Sequence, residues 1–482
     1  MKYINQFRVV KEIKNIAKNF LSIGTANIVS QFLTFLVIAY YARILGVDKF
    51  GQISLAQSIL TYFTMFTLFG FQTLGIKEVS KNQISKENLA GNIIFIRLIC
   101  ALIGFLIMVL IGCFTNKGID FKGLMAIYGL TLFPLAFNID WFYFGTKEMQ
   151  YNAIYNVLKS AFPFILTIIF LKNKNQIYLI PAFMVIGMAA ASAFHAYVFY
   201  KVKKLKYKPA ITVDKVKFLI LNSLPFLLSA LLSLINGNID SIIIGFVRTD
   251  RELGLYSSAY KVIYFLINLI AIIFTPFFPI LIELFHNNNL RKLKNTVDDL
   301  WKIITMIAYP MLVGGILLSK QIIILLFGEE FKEGHIVFCI LLIYAFILFL
   351  RENYGYSLNA WDREKSYLKI VTISAVVNAI LNLILIPFYG INAAAITTVL
   401  SEIINFALMK KEAEKVIRVS YLKYFVKLSP AIILMCAQIL IFKYTHINVI
   451  INIITAVIIY FISLMSFKYI SKDEIVELMK RK

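Results

Sequence analysis

The feature that decides the fold is a succession of fourteen long apolar runs, at about 19–42, 51–76, 89–113, 121–145, 149–171, 177–200, 217–247, 254–283, 302–327, 334–359, 367–388, 391–409, 422–443 and 447–468. A helix of about 20 apolar residues crosses a ~30 Å hydrocarbon core. Inside lipid a backbone must satisfy its own polar groups, and runs of this length do so as helices. The predicted fold class is an all-α polytopic membrane protein of about fourteen transmembrane helices. Composition leaves little for a soluble domain: 60% of residues are hydrophobic and 16% charged, too few polar groups to cover a water-facing surface. The first run is too long for a signal-peptide core and has no A-x-A-like end, so it reads as retained. Cys100, Cys113, Cys339 and Cys436 lie in apolar runs without a C-x-x-C pair and read as small buried hydrophobes.

The net charge of +23 is distributed by topology. With the N-terminus on the cytoplasmic side, the cytoplasmic segments carry 34 Lys and Arg and the outer loops 11. That bias is the positive-inside pattern, and an even number of spans returns the C-terminus to the same side. The basic charge then faces anionic headgroups, making membrane lipids the partner. The longest basic cluster, Lys201 to Lys217, lacks the fold context of a nucleic-acid site, and no nucleic acid is expected. The tail Ser471 to Lys482 reads as an interfacial amphipathic helix.

The chain also repeats. Gly51-x-x-Ser54-x-Ala56 recurs as Gly254-x-x-Ser257-x-Ala259, and the same offset of 203 residues pairs Asn19 with Asn222, Leu21 with Leu224 and Ser30 with Ser233. A helical unit used twice is a common plan for transporters. The expected organisation is a six-helix bundle over 1–200, a basic cytoplasmic linker over 201–217, a second six-helix bundle over 218–412, and two further helices with a tail over 413–482. A weaker echo places a tight turn at Phe144–Glu148 and another at Asn359–Glu364, each with a basic residue and a glutamate.

A charge at mid-membrane costs ~2.5–3.5 kcal/mol on insertion scales and marks a cavity, a partner or a function. Four basic residues lie inside spans: Arg97 and Lys159 mid-span, Lys261 one to two turns below the outer face, and Arg351 beside Glu352. Each also has an ordinary reading, snorkelling to an interface or pairing with a structural acid. The acidic candidates are Asp140, Asp240 and Glu402. Ser229, Ser233, Asn236 and Asp240 are spaced 4, 3 and 4 and share one helix face. Asn27, Gln31 and Thr34 form a similar stripe in the first span. Such stripes read as a cavity wall or as interhelical hydrogen bonding. His195, His286, His335 and His446 have no metal-ligand spacing. No P-loop, G-x-S-x-G or H-E-x-x-H pattern is present, and the longest outer loop, about 320–333, is too short to house soluble chemistry. An enzyme is therefore not expected.

Two motifs carry a family resemblance. The first hairpin, A-R-x-L-G-x-x-x-F-G-x-x-x-x-A from Ala42 to Ala56, and G-x-Y-x-x-A-x-K from Gly254 to Lys261 resemble the polysaccharide-flippase branch of the multidrug/oligosaccharidyl-lipid/polysaccharide exporter superfamily. The resemblance covers nearly the whole chain. It implies translocation of an undecaprenyl-diphosphate-linked oligosaccharide, for O-antigen, capsule or a similar glycan, across the bacterial inner membrane by alternating access through a cationic cavity between two halves. It implies no resident cofactor beyond a coupling cation, H⁺ or Na⁺, and glycan polymerase machinery as a further partner. A diphosphate calls for cations. Lys261 matches the family's basic position in the eighth helix, followed by Arg97, Lys159 and Arg351, with Arg43 at the outer turn as gate or anchor. Asp240, with Asn236, Glu402 and Asp140, are the coupling candidates. A lipid II flippase or a cation-coupled drug exporter on the same architecture is the alternative.

Overall fold

The computed structural model describes residues 2–81, 85–467 and 469, without the side chains of 2–23, 232–233, 235–236, 269 and 271–272. The tail read as an amphipathic helix, Ser471 to Lys482, and the side chains of Ser233 and Asn236 lie outside the described residues. Among the described residues there is no strand. Among the described residues eleven helical stretches are long and apolar enough to cross a membrane, and Gly237–Val247 is a shorter apolar one. The fold divides into two compact units, Met1–Gly254 and Leu255–Lys482.

The first unit contains α1 (Lys2–Leu45), α2 (Val47–Leu68), α3 (Phe71–Lys81), α4 (Lys86–Phe114), α5 (Ile119–Leu130), α6 (Leu132–Ala136), α7 (Asp140–Gly145), α8 (Gln150–Phe170), α9 (Leu179–Tyr197), α10 (Val213–Val247) and the first turn of α11 (Asp250–Phe274). The hairpin that begins the repeat is as tight as a hairpin can be. A single residue, Gly46 at φ 83°, separates α1 from α2, a conformation that favours glycine. The second copy keeps the register, since the helix starts at Val47 and Asp250 stand 203 residues apart. The repeated glycines have a packing reason. A Cβ on Gly51 would run into the Asp250 carbonyl, and one on Gly254 into the Val47 carbonyl. The starts of α2 and α11 thus meet backbone to backbone, as small residues permit between membrane helices.

Two of the expected spans are broken rather than continuous. The run 51–76 turns at Phe69 and Gly70, both with positive φ, before α3. The run 121–145 is interrupted at Thr131 and again at 137–139, giving α5, α6 and α7. Apolarity places a segment in the membrane but does not hold it straight; the second break frees backbone groups for side chains to satisfy. Its aromatic surroundings, Phe71, Trp141, Phe142, Tyr143 and Phe199, form a buried cluster. On α4 the faces separate cleanly. Gly104, Met108 and Gly112 are buried, whereas Leu102, Ile103, Leu106 and Leu110 are exposed, as expected of a helix with one face to protein and one to lipid.

The second unit holds the rest of α11, α12 (Phe278–His286), α13 (Leu290–Phe327), α14 (His335–Ala360), α15 (Glu364–Ala413), α16 (Leu422–Tyr444) and α17 (Val449–Ser466). α13 starts twelve residues before the expected span 302–327 and ends with it at Phe327, taking up much of the outer loop read at 320–333; a 3-10 turn over Glu329–Gly334 follows. The two expected spans 367–388 and 391–409 form one helical stretch, α15, folded back at Gly390 with φ 65° and ψ −148°. Hydrogen bonds between the legs register the hairpin: Ser374 Oγ donates to the Ser401 carbonyl at 2.6 Å, and Asn378 Nδ2 to Ser401 Oγ at 3.3 Å. Asn382 Nδ2 donates to Asn378 Oδ1 at 3.0 Å, and Asn382 Oδ1 accepts from Thr397. The core is aromatic, with Trp301, Phe274 and Trp361 buried. α16 and α17 pack as a pair on α13. Of the cysteines, Cys100 is buried and Cys113 is exposed rather than buried, on the apolar end of α4.

Candidate functional site

In the first unit the break between α6 and α7 gathers a polar cluster. Arg97 of α4 is fully buried, and its Nη1 donates to the Asn138 carbonyl at 2.5 Å. That carbonyl lies in the interrupted segment, outside any helix ladder. The guanidinium also lies 6.0 Å from the Phe71 ring centroid. Its Nε and Nη2 meet no acceptor. Asp140 opens α7. Its Oδ1 accepts from the Trp141 N–H at 2.7 Å, and its Oδ2 from Gln72 Nε2 at 3.1 Å. Asn152 Nδ2 holds the Asp140 carbonyl at 3.0 Å. Asp140 is within electrostatic reach of both Arg97 and Lys159. Lys159, at the middle of α8, is exposed. One acid therefore serves two basic groups here. His195 of α9 is buried beside this cluster, its ring stacked on Tyr155 at 4.3 Å.

The polar stripes have a partial explanation in packing. Asn27 Oδ1 accepts from Asn156 Nδ2 at 2.8 Å, tying α1 to α8, whereas Gln31 and Thr34 are exposed. Asp240 is buried on α10, accepts from the Ser241 N–H at 2.8 Å, and sits within electrostatic reach of Tyr62 on α2. Arg43 is exposed at the last turn of α1.

The second unit treats its charges differently. Arg351 of α14 is clamped between Glu402 of α15, Nε to Oε1 at 2.6 Å, and Glu352 at 2.9 Å. Asn405 Nδ2 supports Glu402 at 3.2 Å. The guanidinium's charge is thus met in place by acids, and the Glu402 pair joins two helices. Lys261 of α11 is half-buried, and among the described residues of its unit no carboxylate lies within ion-pair distance. Within the first unit the structure thus places Arg97, Asp140 and Lys159 together; within the second it pairs Arg351 with Glu402, a pair that does not include Lys261.

Sequence reading passed over several partners. Asn138, Gln72, Asn152 and Asn156 carry no motif. Ser374, Asn378 and Asn382, however, are spaced four apart in an apolar run, the same signal that drew attention to Asp240. Thr249-Asp250-Arg251-Glu252 is a readable capping box: the Glu252 N–H donates to Thr249 Oγ1 at 3.2 Å, and the Thr249 N–H to Glu252 Oε2 at 3.2 Å. Among the described residues no group of His, Cys, Asp and Glu could hold a metal ion.

Paired helical units with charges sunk into the spans are the architecture of a membrane transporter. The structure resembles a lipid II flippase MurJ in an inward closed conformation, with a TM-score of 0.72 at 16% identity over 94% of this chain and 99% of that one. It also resembles an inward-facing multidrug resistance MATE family transporter, with a TM-score of 0.64 at 15% identity over 80% and 95%. The family model described as polysaccharide biosynthesis protein matches residues 16–285, and the one described as lipid II flippase MurJ matches residues 157–471. The chain belongs to the polysaccharide biosynthesis family of flippases, within the multidrug/oligosaccharidyl-lipid/polysaccharide exporter superfamily. Relatives include a probable low-salt glycan biosynthesis flippase, Agl15, of Haloferax volcanii, 25% identical over 82% of each chain. A putative O-antigen transporter of Shigella dysenteriae is 21% identical over 82% of this chain and 99% of its own.

Proposed function

We propose that this flippase carries an undecaprenyl-diphosphate-linked oligosaccharide from the cytoplasmic to the outer leaflet of a bacterial inner membrane, by alternating access, with both termini in the cytoplasm. The observation that carries this reading is Lys261, a cation inside a membrane helix with no carboxylate among the described residues of its unit to neutralise it. A diphosphate supplies the missing negative charge through charge-assisted hydrogen bonds. Lys159, sharing Asp140 with Arg97, is the second basic contact. Arg97 positions the broken segment, because its guanidinium is buried and its Nη1 holds the Asn138 carbonyl. Arg351 is satisfied by Glu402 and Glu352 and holds α14 to α15. Asp240 and Asp140 remain the acids for coupling to H⁺ or Na⁺, and Arg43 is a gate or anchor at the outer turn. The delivered unit would pass to glycan polymerase machinery.

The test is complementation. A flippase-deficient strain expressing the chain regains surface glycan, and Lys261→Ala lowers the recovered glycan by roughly tenfold, as loss of one charge-assisted contact worth ~1.5 kcal/mol or more implies. Full recovery by a Lys159→Ala/Lys261→Ala double variant of undiminished melting temperature removes the cationic mechanism. The match to the lipid II flippase family over 157–471 supports a second reading, transport of a peptidoglycan precursor. Rescue of a strain lacking its lipid II flippase, without rescue of surface glycan, selects it.

A further inference from the structure

The second unit carries a recess that the transport reading does not use. A cavity of about 540 Å³ lies where α13 and α16 begin and the segment after α15 passes between them, continuous in lining with a smaller one of about 300 Å³. Lys294, Lys410, Lys411, Lys415, Arg418 and Lys423 line the two, against only Asp298 and Glu414 as acids. Part of this charge is spent locally. Lys423 Nζ pairs with Asp298 at 2.8 Å, fixing α16 to α13, and Lys410 lies 3.9 Å from Glu414 and 5.3 Å from the Tyr421 ring centroid. Lys294, Lys411 and Arg418 are exposed, and among the described residues none of them has an ion-pair partner.

The surroundings indicate what such a recess would hold. Tyr421 stacks on buried Trp301 at 4.7 Å, forming an aromatic floor at a helix end, the place where such rings meet headgroups. From the rim an apolar track leads along α16, with Leu422 65% and Val426 74% exposed one turn apart. A phosphoryl group can sit among the cations while acyl chains lie on that track. The segment 410–421 falls on the cytoplasmic side in the charge-based topology, where anionic lipids attract Lys and Arg at ~1 kcal/mol each.

We propose that this recess is a binding site for the phosphoryl headgroup of an anionic phospholipid of the cytoplasmic leaflet. It is independent of the substrate site, since none of its residues belongs to the in-span charges. The experiment uses the delipidated full chain in detergent, titrated with phosphatidylglycerol, phosphatidylcholine or inorganic phosphate and read by native mass spectrometry and melting temperature. The expected result is phosphatidylglycerol binding over phosphatidylcholine, weakened at least ~tenfold in Lys294→Gln/Lys411→Gln/Arg418→Gln. Lys201→Gln/Lys204→Gln/Lys206→Gln, which removes as many exposed charges elsewhere, should bind as the parent does. Equal binding by the recess variant overturns the site, as does an equal loss in the control variant, which would indicate diffuse attraction. Inorganic phosphate that displaces the lipid and raises the melting temperature equally overturns the lipid as occupant. Should the triple variant lack a cooperative melt, Arg418→Gln alone is measured against the same criteria.

Discussion

At the residue scale, the in-span charges divide by what surrounds them. Arg351 and Glu402 are both nearly buried and bonded at 2.6 Å. Removing one member of such a pair strands the other charge, which costs ~3–5 kcal/mol. Arg351→Ala should therefore lower the melting temperature sharply in detergent, whereas Glu402→Ala, which leaves Arg351 paired with Glu352, should cost less. Arg97→Ala leaves the Asn138 carbonyl without its donor, a loss of ~1–3 kcal/mol visible as a lower melting temperature. The sequence marked these charges because any charge in an apolar run stands out. It could not say which were paired, since Arg351 and Glu402 are 51 residues apart and Arg97 meets a backbone oxygen.

At the scale of elements, the repeat and the tight turns were legible because glycine has few uses in a membrane helix. Gly254→Val should overpack the contact with Val47 and cost ~1–3 kcal/mol, read as a lower melting temperature, while Gly24→Val, at a position with open space around it, should not. The capping box at the start of α11 predicts a pH dependence. Burial raises the Glu252 carboxyl, but the Arg248 guanidinium and the Thr249 N–H and hydroxyl outweigh it, and the net shift is below the ordinary glutamate value of 4.5. A depressed folded value adds stability above the unfolded pKa and loses it as pH falls through the folded one. Melting temperature should thus fall as pH drops below about 4.5, and Glu252→Gln should remove that share of the slope. The breaks at Phe69–Gly70 and 137–139 were not legible. Both lie in runs apolar enough on average to read as single spans despite Thr67 and Gln72 in the first and Asn138 and Asp140 in the second, and hydropathy measures solvent preference, not backbone direction.

At the scale of the molecule, exposed apolar side chains form lipid-facing stripes, as along α17, where Ile450, Ile454, Ile458 and Phe461 are each at least half exposed. The charge bias predicts the orientation of these helices. A reporter fluorescent only in the cytoplasm should work at the C-terminus, and a phosphatase active only outside should work when inserted after Lys174. The opposite pair of outcomes would invert the topology and place the basic recess under α15 and α16 outside the cell.

The number of crossings, the helical fold and the doubled plan followed from the sequence alone, because a ~30 Å slab of hydrocarbon admits few backbones and fixes their length. Tertiary structure alone decided which charges are satisfied: Arg97 by a carbonyl freed at a helix break, Arg351 of α14 by Glu402 on the second leg of α15, beyond the turn at Gly390, and Lys261 by no carboxylate of its unit among the described residues. The reason is physical. Transfer from water to lipid is a property of each segment by itself, whereas pairing a buried charge depends on which distant segments fold against it.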